Sequence, residues 1–200
     1  MSASPAHAPL LSQRLKHETE ALHLQMHDLM EQARPFSSRM HYAGFLAVQY
    51  LFQRDIEHLL DRPGIQQVIH DAALRGREHD ALRDLQDLDM PVPHESLATC
   101  EVAMPEALGW LYVSEGSTLG AAFLLKEAQA RLGLSSTFGA RNLSAYDGGR
   151  ANAWRRFVAA LDDEVVPSSQ HDAIIEGARA AFRRFGQLLQ SYAQPAPVPA

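Results

Sequence analysis

The sequence predicts an all-α fold organised as a single domain. Three observations carry that reading. Apolar residues recur at helical spacing in almost every long segment, period-two alternation is nearly absent, and proline and glycine punctuate the chain between the periodic stretches. Two hundred residues are enough to bury one core without covalent staples. The domain is expected over 9–193, with a flexible N-terminus at 1–8 and a disordered tail at 194–200.

The first helix is expected from Leu10 to Gln32, with Leu11, Leu15, Leu22, Met26 and Leu29 as its apolar stripe and Pro35 ending it. A second runs from Met40 to Leu60 and is stopped by Pro63 and Gly64, and shorter pieces follow at Ile65–Ala73 and His79–Leu88. Pro91 and Pro93 mark a loop, and another short helical piece is read at Glu95–Val102. The longest helix is expected from Pro105 to Leu132, with Gly133 as its C-terminal stop. The glycine-, serine- and asparagine-rich stretch 133–149 reads as an irregular loop before helices at Arg150–Leu161 and Ser169–Tyr192.

Composition excludes several function classes. The single cysteine, Cys100, cannot form an internal disulfide or a zinc cluster, which fits a reducing cytoplasm. Neither a signal peptide nor an apolar run of membrane-spanning length is read from the sequence. A formal net charge of -6 argues against nucleic acid as a partner, although Arg155–Arg156 and Arg183–Arg184 are basic patches able to receive an acidic protein.

The long helix is expensive in its middle. Gly109, Gly116 and Gly120 sit in its interior, with Ser114, Ser117 and Thr118 among them, and each interior glycine costs about 1 kcal/mol relative to alanine. Gly116 and Gly120 share a face, so they form a strip where something approaches the backbone closely. A tight helix crossing and a planar ligand pressed on the main chain are both compatible with that strip. Tyr112, one turn earlier, places a phenol near the same face.

The first helix carries His17, His23 and His27. Lys16 and His23 lie nearly two turns apart on one face, about 10 Å along the axis, a spacing that suits a metal ligand and an anchor for a charged ligand edge. An ordinary solvated lysine is the plain alternative. In the second helix Gln49 and Gln53 are four apart within an apolar run, where they either border the core or hold ordered water.

The segments RLKHETEALH at 14–23, PFSSR at 35–39, GWLYVSEGSTLGAAFLLK at 109–126, FGARNL at 138–143 and GGR at 148–150 resemble the bacterial heme oxygenases, and the likeness spans nearly the whole chain. It implies a multi-helix fold in which heme is sandwiched between a proximal and a kinked distal helix. In that family His23 falls at the proximal iron ligand, and Gly116, Ser117 and Gly120 fall over the oxygen site and steer catalysis. Lys16 and Tyr112 fall at the propionate contacts, an arrangement resembling the α-biliverdin type. Heme b is then both substrate and cofactor, cleaved with O2 to biliverdin, CO and ferrous iron, with Gln49 and Gln53 holding water nearby.

One position departs from the family pattern: four residues after His23, where most relatives carry a carboxylate, stands His27. The acceptor for the His23 ring N–H is then His27, Asp28 or water. No dinucleotide fingerprint follows a strand, so electrons are expected from a ferredoxin or NAD(P)H-dependent reductase. Arg155 or Arg156 would assist the propionates or that docking. The chain is expected to act as a cytoplasmic monomer that either releases iron or supplies bilin to a phytochrome. Two rival readings stand beside this one: a di-iron site using Asp55 and His58, and a heme carrier or sensor that binds without turnover.

Overall fold

The computed structural model describes residues 9–193, so the readings of 1–8 and 194–200 lie outside the described residues. Among the described residues eight α-helices follow in order: α1 (Leu11–Glu18), α2 (Glu20–Ala33), α3 (Arg39–Leu60), α4 (Ile65–Val68), α5 (Glu78–Asp87), α6 (Met104–Leu132), α7 (Arg150–Leu161) and α8 (His171–Tyr192). Short 3-10 turns occupy Ala72–Leu74, Arg141–Leu143 and Ser168–Gln170. Among the described residues no strand forms; Ser135 makes only isolated bridges to Phe138 and Gly139. No helix among them is long and apolar enough to cross a membrane.

The expected first helix is divided at Thr19, whose ψ of 3° departs from helical geometry. The hydroxyl of Thr19 donates to the Leu15 carbonyl at 2.7 Å, and this back-bond competes with the regular ladder. The ladder nevertheless continues across the irregularity, since the His23 N–H donates to the Thr19 carbonyl at 2.9 Å. Arg34, left-handed at φ 46°, then closes α2 ahead of Pro35.

Two further readings need correction. The piece expected at Ile65–Ala73 breaks after Val68, because Ile69 leaves the helical region at ψ 88°, and resumes only as a 3-10 turn. The helix expected at Glu95–Val102 does not form. Side chains of α3 satisfy that segment's backbone instead: Arg62 donates to the carbonyls of Thr99, Cys100 and Val102, Arg54 donates to that of Glu95, and the Asp55 carboxylate accepts from the Ala98 N–H. The stretch 133–149 is irregular as expected but firmly held. Buried Asp84 accepts from the backbone N–H groups of Arg141 and Asn142, both at 2.9 Å, and Asp87 accepts from that of Gly139 at 2.7 Å.

α8 organises the fold, packing against α6, α3 and α2. Its contact with α6 is backbone on backbone. A Cβ added to Gly109 would lie 1.9 Å from the Ile174 carbonyl oxygen, and one added to Gly177 would lie 2.0 Å from that of Glu106. Around this crossing Phe52 stacks on Trp110 at 6.1 Å and meets Phe185 edge-on at 5.2 Å, joining α3, α6 and α8 in one core. On the other side Gly186 receives Met26 and Leu29 of α2. α2 and α6 therefore share α8 as a common support. α6 ends as the sequence suggests, with Gly133 left-handed at φ 68° and Leu134 donating back to the Ala128 carbonyl at 3.2 Å.

The glycines of α6 and α8 should separate in a thermal melt. Gly109→Ala and Gly177→Ala overpack the crossing and should each cost about 1–3 kcal/mol or more. Gly120→Ala meets nothing within 4 Å and should be neutral or gain up to about 1 kcal/mol from helix propensity. Equal melting shifts for all three would contradict this division.

Candidate functional site

The middle of α6 faces two environments. Gly116, Leu119, Gly120 and Phe123 fall within one arc of the helix at 100° per residue. A Cβ on Gly120 would meet open space, and one on Gly116 would reach only the Trp154 indole at 3.7 Å. Leu119 is 44% and Phe123 64% exposed, so the bare main chain is flanked by unpartnered apolar side chains. Of the two explanations the sequence left open for the strip, a tight crossing applies at Gly109, not at Gly116 and Gly120. α6 stays helical throughout, while the hydroxyls of Ser117 and Thr118 donate to the Ser114 and Glu115 carbonyls, each at 2.6 Å. Such back-bonds bend a helix.

α2 presents His23 and His27 exposed at the edge of the Leu22, Met26 and Leu29 stripe that packs on the core. The two rings meet edge-to-face with centroids 4.7 Å apart, and His23 also meets Phe182 of α8 at 6.3 Å. Desolvation by the surrounding protein, helped by repulsion from His27, lowers the His23 pKa below that of an ordinary histidine. The neutral imidazole, which has a lone pair for a metal, is favoured. His27 touches His23 through ring packing; no hydrogen bond joins them among the described residues.

The other sequence-predicted residues fall as follows. Lys16 on α1 is exposed, beyond the irregularity at Thr19 that separates it from His23. Tyr112 is half-buried, which raises its phenol pKa, and lies 5.5 Å from the Trp154 ring. Gln49 is half-buried, whereas Gln53 is buried and donates to the Ser114 hydroxyl at 3.4 Å. The Gln53 Oε1 has no protein partner among the described residues, so α3 brings a polar acceptor against the interior of α6. Asp55 and His58 are engaged elsewhere: Asp55 pairs with Arg184 at 3.0 Å, and the His58 ring is 3.0 Å from the Thr99 hydroxyl. Arg184 is therefore an inward tie from α8 to Asp55 and Glu95 rather than part of a basic patch. Arg155 is exposed and bonded within its own helix, while Arg156 pairs with Asp71 at 3.2 Å.

Sequence reasoning missed the charged network behind the glycine strip. Glu115, next to Gly116 but turned inward, forms a buried ion pair with Arg75 and accepts from the Tyr146 hydroxyl at 2.8 Å. Arg75 also binds Asp71 at 2.7 Å and donates to the Ala153 carbonyl at 3.2 Å. Burial pushes the Glu115 carboxyl above its usual range even though Arg75 pulls it down. Asp71 goes the other way: burial alone would raise it, but hydrogen bonds from Arg75 and Arg156 carry it below the ordinary aspartate value. The available signal was a glutamate amid apolar residues and glycines; its partners lie 31 and 40 positions away, beyond any local pattern.

The chain and its fold are similar to those of known proteins. The chain matches the family model for heme oxygenase over residues 10–191. It is 44% identical over 183 residues to heme oxygenase PigA of Pseudomonas aeruginosa, covering 90% of this chain and 92% of that protein. Its structure resembles that of the heme oxygenase from Neisseria meningitidis, solved with NO and CO bound, with a TM-score of 0.86, 32% identity and 93% of each chain covered. The heme complex of a heme oxygenase from the cyanobacterium Synechocystis shares the fold at a TM-score of 0.73 and 14% identity, covering 92% of each chain. The chain belongs to the heme oxygenase family. Its class is thus an enzyme, which decides against the reading as a carrier or sensor without turnover.

The buried pair gives a pH-dependent prediction. Arg75→Met leaves Glu115 buried without its cation and should destabilise the fold by about 3–5 kcal/mol. A carboxyl whose folded pKa is raised binds protons more tightly in the native state, so stability rises as pH falls through the window above the ordinary glutamate value. Losing Arg75 raises Glu115 further. Urea unfolding should therefore show a larger penalty for Arg75→Met at pH 8 than at pH 5, and a pH-independent penalty would contradict the assignment.

Proposed function

We propose that this enzyme cleaves heme b with O2 and externally supplied electrons to biliverdin, CO and ferrous iron, and that the bilin is the α isomer. The observation that carries the reading is the bare main chain at Gly120, open where a Cβ would stand and flanked by exposed Leu119 and Phe123. A flat apolar ligand pressed there meets backbone rather than side chains. His23 on α2 supplies the imidazole from the opposite side, and its lowered pKa keeps it in the ligating form. The porphyrin supplies the iron at which oxygen is activated.

The chain's own groups steer and protonate. Gly116 and Gly120 let the main chain crowd the distal side of the ring, so that attack is confined to one edge. The Ser117 hydroxyl donates to the Ser114 carbonyl, and the carboxylate of Glu115 is held away by Arg75 and Tyr146. No strong acid on this stretch is thereby aimed at the ligand. Gln53, with Gln49 a turn away on α3, is suited to hold water as the proton source, since its buried Oε1 retains acceptor capacity. Lys16 and Tyr112 anchor the propionates and so fix the rotation of the ring, which is the basis for the α isomer. A ferredoxin or an NAD(P)H-dependent reductase delivers electrons to a cytoplasmic monomer, whose products serve iron release or bilin supply to a phytochrome.

His23→Ala should lose bilin formation by at least the roughly 10–100-fold typical of losing a partner beyond the ligand itself, with partial recovery on adding imidazole. His27→Ala should be milder. Full activity of unsupplemented His23→Ala, read from loss of the Soret band and growth of bilin absorbance, would refute the ligand assignment. Replacing Lys16 and Tyr112 together, as Lys16→Ala with Tyr112→Phe, should turn one biliverdin isomer into a mixture on chromatography, and an unchanged single peak would refute the anchoring.

A further inference from the structure

Trp154 of α7 touches two of the residues assigned above to the heme site, although no sequence motif pointed to it. The six-membered ring of its indole lies 3.7 Å from where a Gly116 Cβ would be, and its centroid is 5.5 Å from that of Tyr112, with the planes tilted by 51°. It is held from behind. Trp154 stacks on Phe157 at 6.1 Å, and buried Phe157 lies under the Arg75 guanidinium at 5.3 Å. Arg75 in turn is fixed by Asp71 and Glu115 and donates to the carbonyl of Ala153, the residue before the indole. The ring is half-buried, so one part of it remains open beside the strip.

We propose that Trp154 is a specificity-determining residue of the heme oxygenase reaction: it forms the aromatic wall at the Tyr112 end of the glycine strip and limits how far the porphyrin can turn or slide. The inference rests on the reading that heme lies against Gly116 and Gly120. A porphyrin flat on that strip meets the indole at its edge, because only at Gly116, not at Gly120, does a side chain stand in the direction of the missing Cβ. Aromatic packing also restricts the Tyr112 ring, which directs its hydroxyl. Two constraints on heme rotation, one steric and one polar, thus pass through the same side chain.

The test compares Trp154→Ala, Trp154→Leu and Trp154→Phe with the unaltered protein, each loaded with hemin and turned over with ascorbate so that no reductase docking enters. Trp154→Ala should still ligate hemin through His23, with an unchanged Soret maximum, but yield a second biliverdin isomer as a tenth or more of the product. Trp154→Phe should keep most of the original selectivity. The hyperfine-shifted heme methyl signals of the cyanide complex should move in Trp154→Ala, as a merely destabilised fold would not require. If Trp154→Ala fails to bind hemin, Trp154→Leu carries the comparison through the same two readouts. An isomer pattern and methyl shifts matching the unaltered protein in the variant that binds would overturn the proposal while leaving the heme site intact. Absence of any bilin from the unaltered protein would instead overturn the underlying reading.

Discussion

The fold depends on how closely α6 approaches α8. Gly109 and Gly177 let the two backbones meet at a distance no side chain tolerates, and the aromatic cluster of Phe52, Trp110 and Phe185 seals that contact. Because the crossing lies near the start of α6, the later turns of the helix project beyond it. Their glycines are freed from packing duty and left facing outward. α2, which carries the histidines, is seated on another part of the same α8 through Met26 and Leu29. α8 is thus the element on which both the histidine-bearing helix and the glycine-bearing helix rest.

Behind the glycine strip, the protein spends charge on rigidity. Glu115, Arg75 and Asp71 are joined with Tyr146 in a network that reaches from α6 through the 71–75 segment to α7. Buried ion pairs bring little net stability, since desolvation offsets most of the attraction. What this one contributes is position. It fixes the inner side of α6 at the residue before Gly116 while Phe157 and Trp154 are ordered alongside.

Much of this was legible in the sequence, because the dominant signals are local. Helical periodicity, Pro35, Gly133 and the Pro63–Gly64 break located most elements, and the cost of glycine inside a helix singled out the 116–120 strip. Two kinds of information were not local. The segment 95–102 has helix-compatible residues, yet Arg54, Asp55 and Arg62 from α3 claim its backbone groups. Trp154 and Glu115 likewise show their meaning only through partners far away in the chain. The basic pair Arg183–Arg184 misled for the same reason, since Arg184 turns inward to Asp55.

The exposed Leu119 and Phe123 bear on the life of the chain between turnovers. A ligand that covers such surface favours the folded state in proportion to the logarithm of its concentration, so heme seated on that strip would guard the protein that destroys it. Each reaction cycle would then remove its own safeguard and leave that apolar surface to water.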